Sequence, residues 1–356
     1  MPKPLPARRA SVLAERFSCD MKYDRLTGSI LRRLMLRFSG GFVLALHDMP
    51  PERLAVFIDA FWPFRPVPLS ELVIRSKQGK PSTGLFAITV DDGVGGNVRA
   101  LAQIFRARGW PATFYLPTDY IHTGRLMPFQ WWWRLKPLLP RKNIQLKSGP
   151  MDLSNPVEIE TLSKRVQGLW RRERPEVYLP LIMELAGIVS RETGLTMDEL
   201  QGPDAPIPWH EVACLSREEL IGFESHGVSH IAMSALTEEE LVFEMRRSQE
   251  VLEEHTSRPC RHFCYPFGGS ESIGALAPAV ARRFYDSATT MSLGSVEGAD
   301  PWLLPRIPLY PKNSVLFARM KVLLKCTSLN ALGKKSKNAG QPPEGVVRHE
   351  QAGAGD

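Results

Sequence analysis

Apolar positions along the chain fall into short unbroken runs separated by stretches of helical spacing. Phe42-Val-Leu-Ala-Leu46, Leu85-Phe-Ala-Ile-Thr-Val90 and Ala112-Thr-Phe-Tyr-Leu116 show no polar alternation. Such runs predict strands covered on both faces, as in a parallel sheet. Between the second and third, residues 98–108 have helical periodicity and stop at Gly109. Strand, acidic loop, helix and strand in that order make a βα unit with a parallel partner strand. The rhythm resumes at Ile221-Gly-Phe-Glu-Ser225, and Thr237-Glu-Glu-Glu240 opens a further helix with a capping-box sequence. Short strands are expected at 262–265, 285–289 and 303–307.

Two kinds of segment break this rhythm. Residues 122–210 hold the Trp131-Trp132-Trp133 cluster, many prolines and charged helical stretches. They read as a helical insertion rather than a second independent core. The Trp cluster is either a stacking platform for sugar rings or packing for the insertion. The two ends are basic. Ile30, Leu31, Leu34, Met35 and Phe38 recur at helical spacing among Arg32, Arg33 and Arg37, up to Gly40. After about Ser328 the Lys-, Gly-, Asn- and Pro-rich composition is that of a loose tail. The expected organisation is a basic lead-in over 1–40, a main unit over 41–316 carrying the insertion, and a basic helix and tail over 317–356.

Composition narrows the class. The 356 residues are 43% hydrophobic and 23% charged, ordinary for a globular protein and long enough for one large α/β barrel with insertions. The net charge of +7 is located at the ends: residues 1–37 contribute +6 and 317–356 contribute +4, leaving the body slightly acidic. That distribution excludes a basic groove for nucleic acid across the fold. No apolar run is long enough to cross a bilayer, and the first residues lack the apolar core of a secretion signal. Five scattered cysteines without a CxxC pair favour a reducing compartment. The expected location is cytoplasmic. At the C-terminal end, Leu316, Met320, Leu323 and Leu324 alternate with Arg319, Lys321 and Lys325. The basic, partly amphipathic ends are either solvated or docked on anionic lipid at the inner membrane face.

Three clusters carry candidate chemistry, and each follows a predicted strand. Asp91-Asp92 emerges from the run ending at Val90; adjacent carboxylates there are costly unless something positive holds them. Helix capping is the plainer alternative. His226-Gly-Val-Ser-His230 can converge two imidazoles on one ion, although the position after the first His is not the Glu of a zinc-protease helix. Arg261-His-Phe-Cys-Tyr-Pro-Phe-Gly268 could aim backbone N–H groups into a pocket. One carboxylate and two imidazoles form a mixed O/N set suited to Zn²⁺ or a neighbouring divalent ion, with positions open for water and substrate. The same set occurs in non-haem iron oxygenases, so the ligands alone do not fix the reaction.

The order Thr89-Val-Asp-Asp-Gly93, His226-xxx-His230, Arg261-x-Phe-x-x-Pro-Phe-Gly268 resembles the polysaccharide deacetylase family, the NodB-homology group or carbohydrate esterase family 4. Trp110-Pro-Ala-Thr-Phe-Tyr115, Leu46-His47 and Leu304-Pro-Arg-Ile-Pro308 resemble smaller features of its members. The resemblance implies a distorted (β/α)7 TIM-like barrel and a divalent ion, often zinc, with Co²⁺, Fe²⁺, Mn²⁺ or Ni²⁺ as substitutes. It implies hydrolysis of the N-acetyl group of an amino sugar in a polymer or oligosaccharide. Asp91 is then the catalytic base; Asp92, His226 and His230 are the metal ligands; Arg261 orients Asp91. Tyr265, Pro266 and Phe267 line the acetyl end, with the Phe267 N–H as oxyanion donor. The sequence departs from the family's pattern in three places. Val90 stands where Phe is usual. Gly227 replaces a hydroxyl residue, which predicts a looser metal loop. No late Leu-x-His supplies a general acid, and His47 is the substitute candidate. Two alternatives accompany this reading: a deformylase or deacetylase of a lipid-linked sugar at the cytosolic membrane face, and a barrel that binds metal or glycan without turnover.

Overall fold

The computed structural model describes residues 39–202 and 205–326, with Ile30, Arg33, Leu34, Met35 and Arg37. The rest of the lead-in and the tail expected after Ser328 lie outside the described residues. The three unbroken apolar runs form β1 (Phe42–Leu46), β3 (Leu85–Val90) and β4 (Ala112–Leu116), each buried throughout. A two-residue β2 (Arg65–Pro66) pairs with the start of β3. β7 (Ile221–Ser225), β8 (His262–Cys264), β9 (Ser287–Thr289) and β10 (Ile307–Pro308) complete a parallel sheet in the order β10-β1-β3-β4-β7-β8-β9. Helices such as Gly95–Arg108 and Glu238–Thr256 make the crossovers, as parallel neighbours require.

The sheet curls until its edges meet through one segment. Leu304 bridges Thr289 at the end of β9, while Ile307 and Pro308 pair with Leu44 and Ala45 of β1. Residues 304–308 therefore close the distorted barrel. Its core is apolar: Phe42 stacks on Phe86 at 5.3 Å, and Phe114 on Phe223 at 5.7 Å. All the catalytic candidates except Arg261 follow the strands, at the end where parallel barrels build their sites.

Three expectations change. Strands near the end of the chain are shorter than the apolar pattern suggested. Where a strand is expected over 303–307, Pro301–Leu303 form a 3-10 turn, Leu304 makes a single bridge to Thr289, and regular pairing is confined to Ile307–Pro308. Second, the insertion has a core of its own. Trp132, Leu135, Leu162, Val166, Ile182, Leu185 and Val189 belong to a hydrophobic cluster separate from the barrel's. Its helices Pro128–Leu135, Pro156–Trp170, Pro175–Thr193 and Met197–Gln201, with the hairpin β5 (Asn143–Leu146) and β6 (Gly149–Asp152), supply enough apolar faces to pack on one another. Third, Arg319 in the helix Val315–Lys325 is not part of a solvated or lipid-facing stripe. It is buried and donates to the Ala60 carbonyl at 2.8 Å, and Val315, Ala318 and Val322 join the barrel core. No described helix is long and apolar enough to cross a membrane.

Candidate active site

Asp91 and Asp92 follow β3, where the strand hands its chain to the loop before the helix Gly95–Arg108. Both are buried. Burial alone would raise the Asp91 carboxyl; the Arg306 guanidinium beside it reverses this and, with His47 and His226, holds it well below the usual carboxylate range. The contact is bidentate, Nη1 to Oδ1 at 2.7 Å and Nη2 to Oδ2 at 2.8 Å. A planar fork of this kind fixes the carboxylate's plane as well as its charge. Arg306 is itself anchored on Thr89 Oγ1 and the Thr290 carbonyl. The Cys264 thiol lies 3.1 Å from Arg306 Nη2, and burial keeps it protonated.

Arg261 does not have the assigned place. It precedes β8, so it sits at the opposite end of the barrel, exposed and 3.3 Å from Asp286. The guanidinium on Asp91 comes from the closing segment instead, as Arg306. Sequence held a usable signal: Arg306 is a lone charge in Leu303-Leu-Pro-Arg-Ile-Pro-Leu309, and a charge buried in an apolar run needs a partner.

Asp92, His226 and His230 converge. Their ligand atoms lie within 4.8 Å of one another, with Asp92 Oδ1 at 3.7 Å from His226 Nε2 and 3.5 Å from His230 Nε2. The His226–His230 segment is a loop, not a helix. His226 Nδ1 meets the Cys264 carbonyl at 2.7 Å, which fixes the tautomer and leaves Nε2 a free lone pair toward the cluster. Burial pushes the His226 imidazole down to about 4, with His230 adding to the effect, so at neutral pH it is an unprotonated donor. One carboxylate and two neutral imidazoles at these separations suit a small divalent ion. A second set, Asp91, His226 and Cys264, also lies within that distance, but Arg306 occupies the Asp91 oxygens and the thiol keeps its proton.

Backbone strain concentrates here. Asp92, His230 and Phe267 all have positive φ, at 75°, 51° and 61°, and non-glycine residues in that region mark sites where function fixes the conformation. Nor is the His226–His230 loop left without support. Glu244, from the helix Glu238–Thr256, accepts the N–H groups of Val228 and Ser229 and the Ser229 hydroxyl. Gly227 has φ +79°, and a Cβ there would stand 3.0 Å from the Glu244 carboxylate. The support sought in a side chain after His226 comes from this helix, and glycine makes room for it.

A cleft of about 930 Å³ opens over the cluster. His47 lines it, its Nε2 3.6 Å from Asp91 Oδ2, as do Tyr265 and Phe267. Tyr265 donates its hydroxyl to the Trp302 carbonyl at 3.0 Å, so only its body faces the cleft. Pro266 is buried in the turn and is not among the lining residues; its carbonyl accepts the Gly268 N–H. Among the described residues nothing accepts the Phe267 N–H. The far wall belongs to the insertion. The Trp cluster divides accordingly: Trp132 is buried in the insertion's core, Trp131 packs against that core, and Trp133 is half-exposed in the cleft.

A family model described as polysaccharide deacetylase matches residues 188–279, which include His226 and His230. No curated protein matches the chain in sequence. Among solved structures it is similar to the Streptococcus pyogenes deacetylase PplD in complex with acetate. The identity is 12% and the TM-score 0.50, over 80% of this chain and 99% of that one. IcaB from Ammonifex degensii gives 12% and 0.48, over 80% and 97%. A polysaccharide deacetylase from Bacillus cereus gives 13% and 0.48, over 80% and 69%. In fold the barrel is like that of the Streptococcus pyogenes deacetylase.

Proposed function

We propose that the chain is a divalent-metal-dependent hydrolase that removes N-acetyl groups from amino sugars. The observation that carries this is the convergence of Asp92, His226 and His230 beside a carboxylate clamped by a buried arginine. When bound at these ligands, a divalent ion supplies Lewis acidity and makes a water acidic enough for a base as weak as Asp91. Arg306 keeps Asp91 ionised and aimed, so the carboxylate accepts a proton without searching for its orientation. The unpaired Phe267 N–H points to a donor for oxyanion charge developing on the acetamide. His47, across Asp91 at the partly exposed rim, is placed to protonate the departing amine. Phe129 and Phe267, with ring centroids 5.2 and 4.8 Å from His230, make an apolar wall suited to the acetyl methyl.

Metal content and acetate release from N-acetylated chitooligosaccharides test the reading together. Purified protein should hold one divalent ion, and Asp92→Ala or His230→Ala should lose both ion and activity. Asp91→Asn should keep the ion and lose turnover; turnover retained in that variant removes Asp91 as the base. Stoichiometric metal with neither acetate nor formate released from any sugar would sink the hydrolase reading.

The place of work is a separate proposal. Leu316, Phe317 and Leu324 remain exposed on the helix Val315–Lys325 beside the exposed Lys325, which supports peripheral contact with anionic lipid. Failure of the full chain to cosediment with anionic vesicles at low salt would refute it.

A further inference from the structure

We infer that the outer half of the cleft recognises an anionic group, so that the preferred substrate is an N-acylated amino sugar carrying a phosphate ester or a neighbouring carboxylate. This rests on the deacylase reading of the Asp-His cluster and adds the substrate class to it.

The insertion builds a continuous aromatic wall leading away from the cluster. Ring centroids step from His230 to Phe129 at 5.2 Å, to Trp170 at 6.1 Å and to Trp133 at 6.2 Å. Each of the two tryptophans at its outer end is followed in the chain by an arginine that lines the same cleft, Arg134 after Trp133 and Arg171 after Trp170. Arg134 donates to the Gln201 carbonyl at 3.1 Å and is held within the wall. Arg171 is exposed and has no ion-pair partner among the described residues. Its neighbourhood in the chain is mostly basic: residues 164–174 include Lys164, Arg165, Arg171, Arg172 and Arg174 against one carboxylate, Glu173. The cleft's carboxylates are committed elsewhere. Asp91 is held by Arg306, Asp92 faces two imidazoles, and Glu199 caps its helix through Thr196. Asp48 stands beside His47 on the opposite lip. A cleft of 930 Å³ is at the upper end of ordinary ligand sites, with room beyond the reacting sugar for a further group. Guanidinium groups flanked by aromatic faces select an anion next to a ring.

Direct binding tests this without turnover. Calorimetry on the full-length protein would compare glucosamine 1-phosphate, a glucuronate-glucosamine disaccharide and methyl glucosaminide, all already deacylated. A charge-assisted contact predicts at least one anionic ligand binding about tenfold more tightly than the neutral one, with the preference shrinking as salt rises. Arg171→Glu should abolish the preference and Arg171→Lys retain part of it. Preference for the phosphate alone assigns a phosphorylated or carrier-linked sugar, and preference for the disaccharide assigns an acidic polymer. Equal binding of all three, or a preference that survives in Arg171→Glu, overturns the inference. Tenfold selectivity with no acetate release would sustain it while the deacylase reading fails.

Discussion

At the residue scale, the site depends on a charge whose partner is distant in sequence. Removing Arg306 leaves Asp91 buried and uncompensated, so Arg306→Leu should destabilise the fold by about 3–5 kcal/mol, measured by chemical denaturation. Arg306→Lys should be milder in stability but should still lose activity, because a point charge cannot hold the carboxylate's plane. Arg261→Ala, breaking an exposed pair, should change stability by less than about 1 kcal/mol and leave acetate release intact. A large activity loss there would restore Arg261 to the site. Glu244→Ala frees the Val228 and Ser229 N–H groups and should weaken metal binding about 10–100-fold in a chelator competition. Unchanged affinity would show that the loop holds itself.

At the scale of elements, the insertion is the part that the apolar pattern under-described. Its helices pack on one another, and a single helix, Pro128–Leu135, faces both ways. Trp132 enters the insertion's core while Trp133 enters the cleft. Trp132→Ala should therefore cost about 3–5 kcal/mol of stability with little change in KM. Trp133→Ala should raise KM for an oligosaccharide roughly threefold to tenfold, the scale of one aromatic contact, and leave the melting temperature in place. The reverse pattern would mean that the two faces of the helix have been exchanged.

For the whole molecule, a pH dependence of stability follows from groups at both ends of the barrel. Glu224 turns its carboxylate inward onto two backbone N–H groups, and burial pushes it up to about 8. The folded state thus holds a proton that the unfolded state releases above about 4.5, and stability falls as pH rises from there to about 8. His262, hydrogen-bonded to Ser287, is pushed down to about 4 by burial, as is His226. These two act oppositely: stability falls as pH drops from about 6.5 toward 4. The imidazoles outweigh the Glu224 carboxylate below about 6.5; above that they no longer change, and Glu224 goes on lowering stability up to about 8. Thermal unfolding should therefore show a maximum near pH 6.5, with a falling limb of about 1.4 kcal/mol per pH unit above it. Glu224→Gln should flatten that limb and leave the acidic one. A limb that persists in Glu224→Gln would place its origin elsewhere.

Sequence alone determined the elements whose information is local. Unbroken apolar runs specify strands covered on both faces, so β1, β3 and β4 appear where the pattern placed them; β7 alternates buried and half-buried positions and is placed by the resumed strand–helix rhythm. Adjacent motif residues such as Asp91-Asp92 and His226-xxx-His230 share one loop each, and a loop at a strand's end can only open at that end of a parallel barrel. The tertiary structure decided what depends on closure. Which arginine reaches Asp91 was settled by the curl of the sheet, which brings residues 304–308 against both β1 and β9 and leaves Arg261 at the far end. Glu244's grip on the His226–His230 loop needs a helix packed beside it, and the division of Trp132 from Trp133 needs the insertion to have folded on itself. Charge partners far apart in sequence leave no periodicity to read; only the closed barrel makes them neighbours.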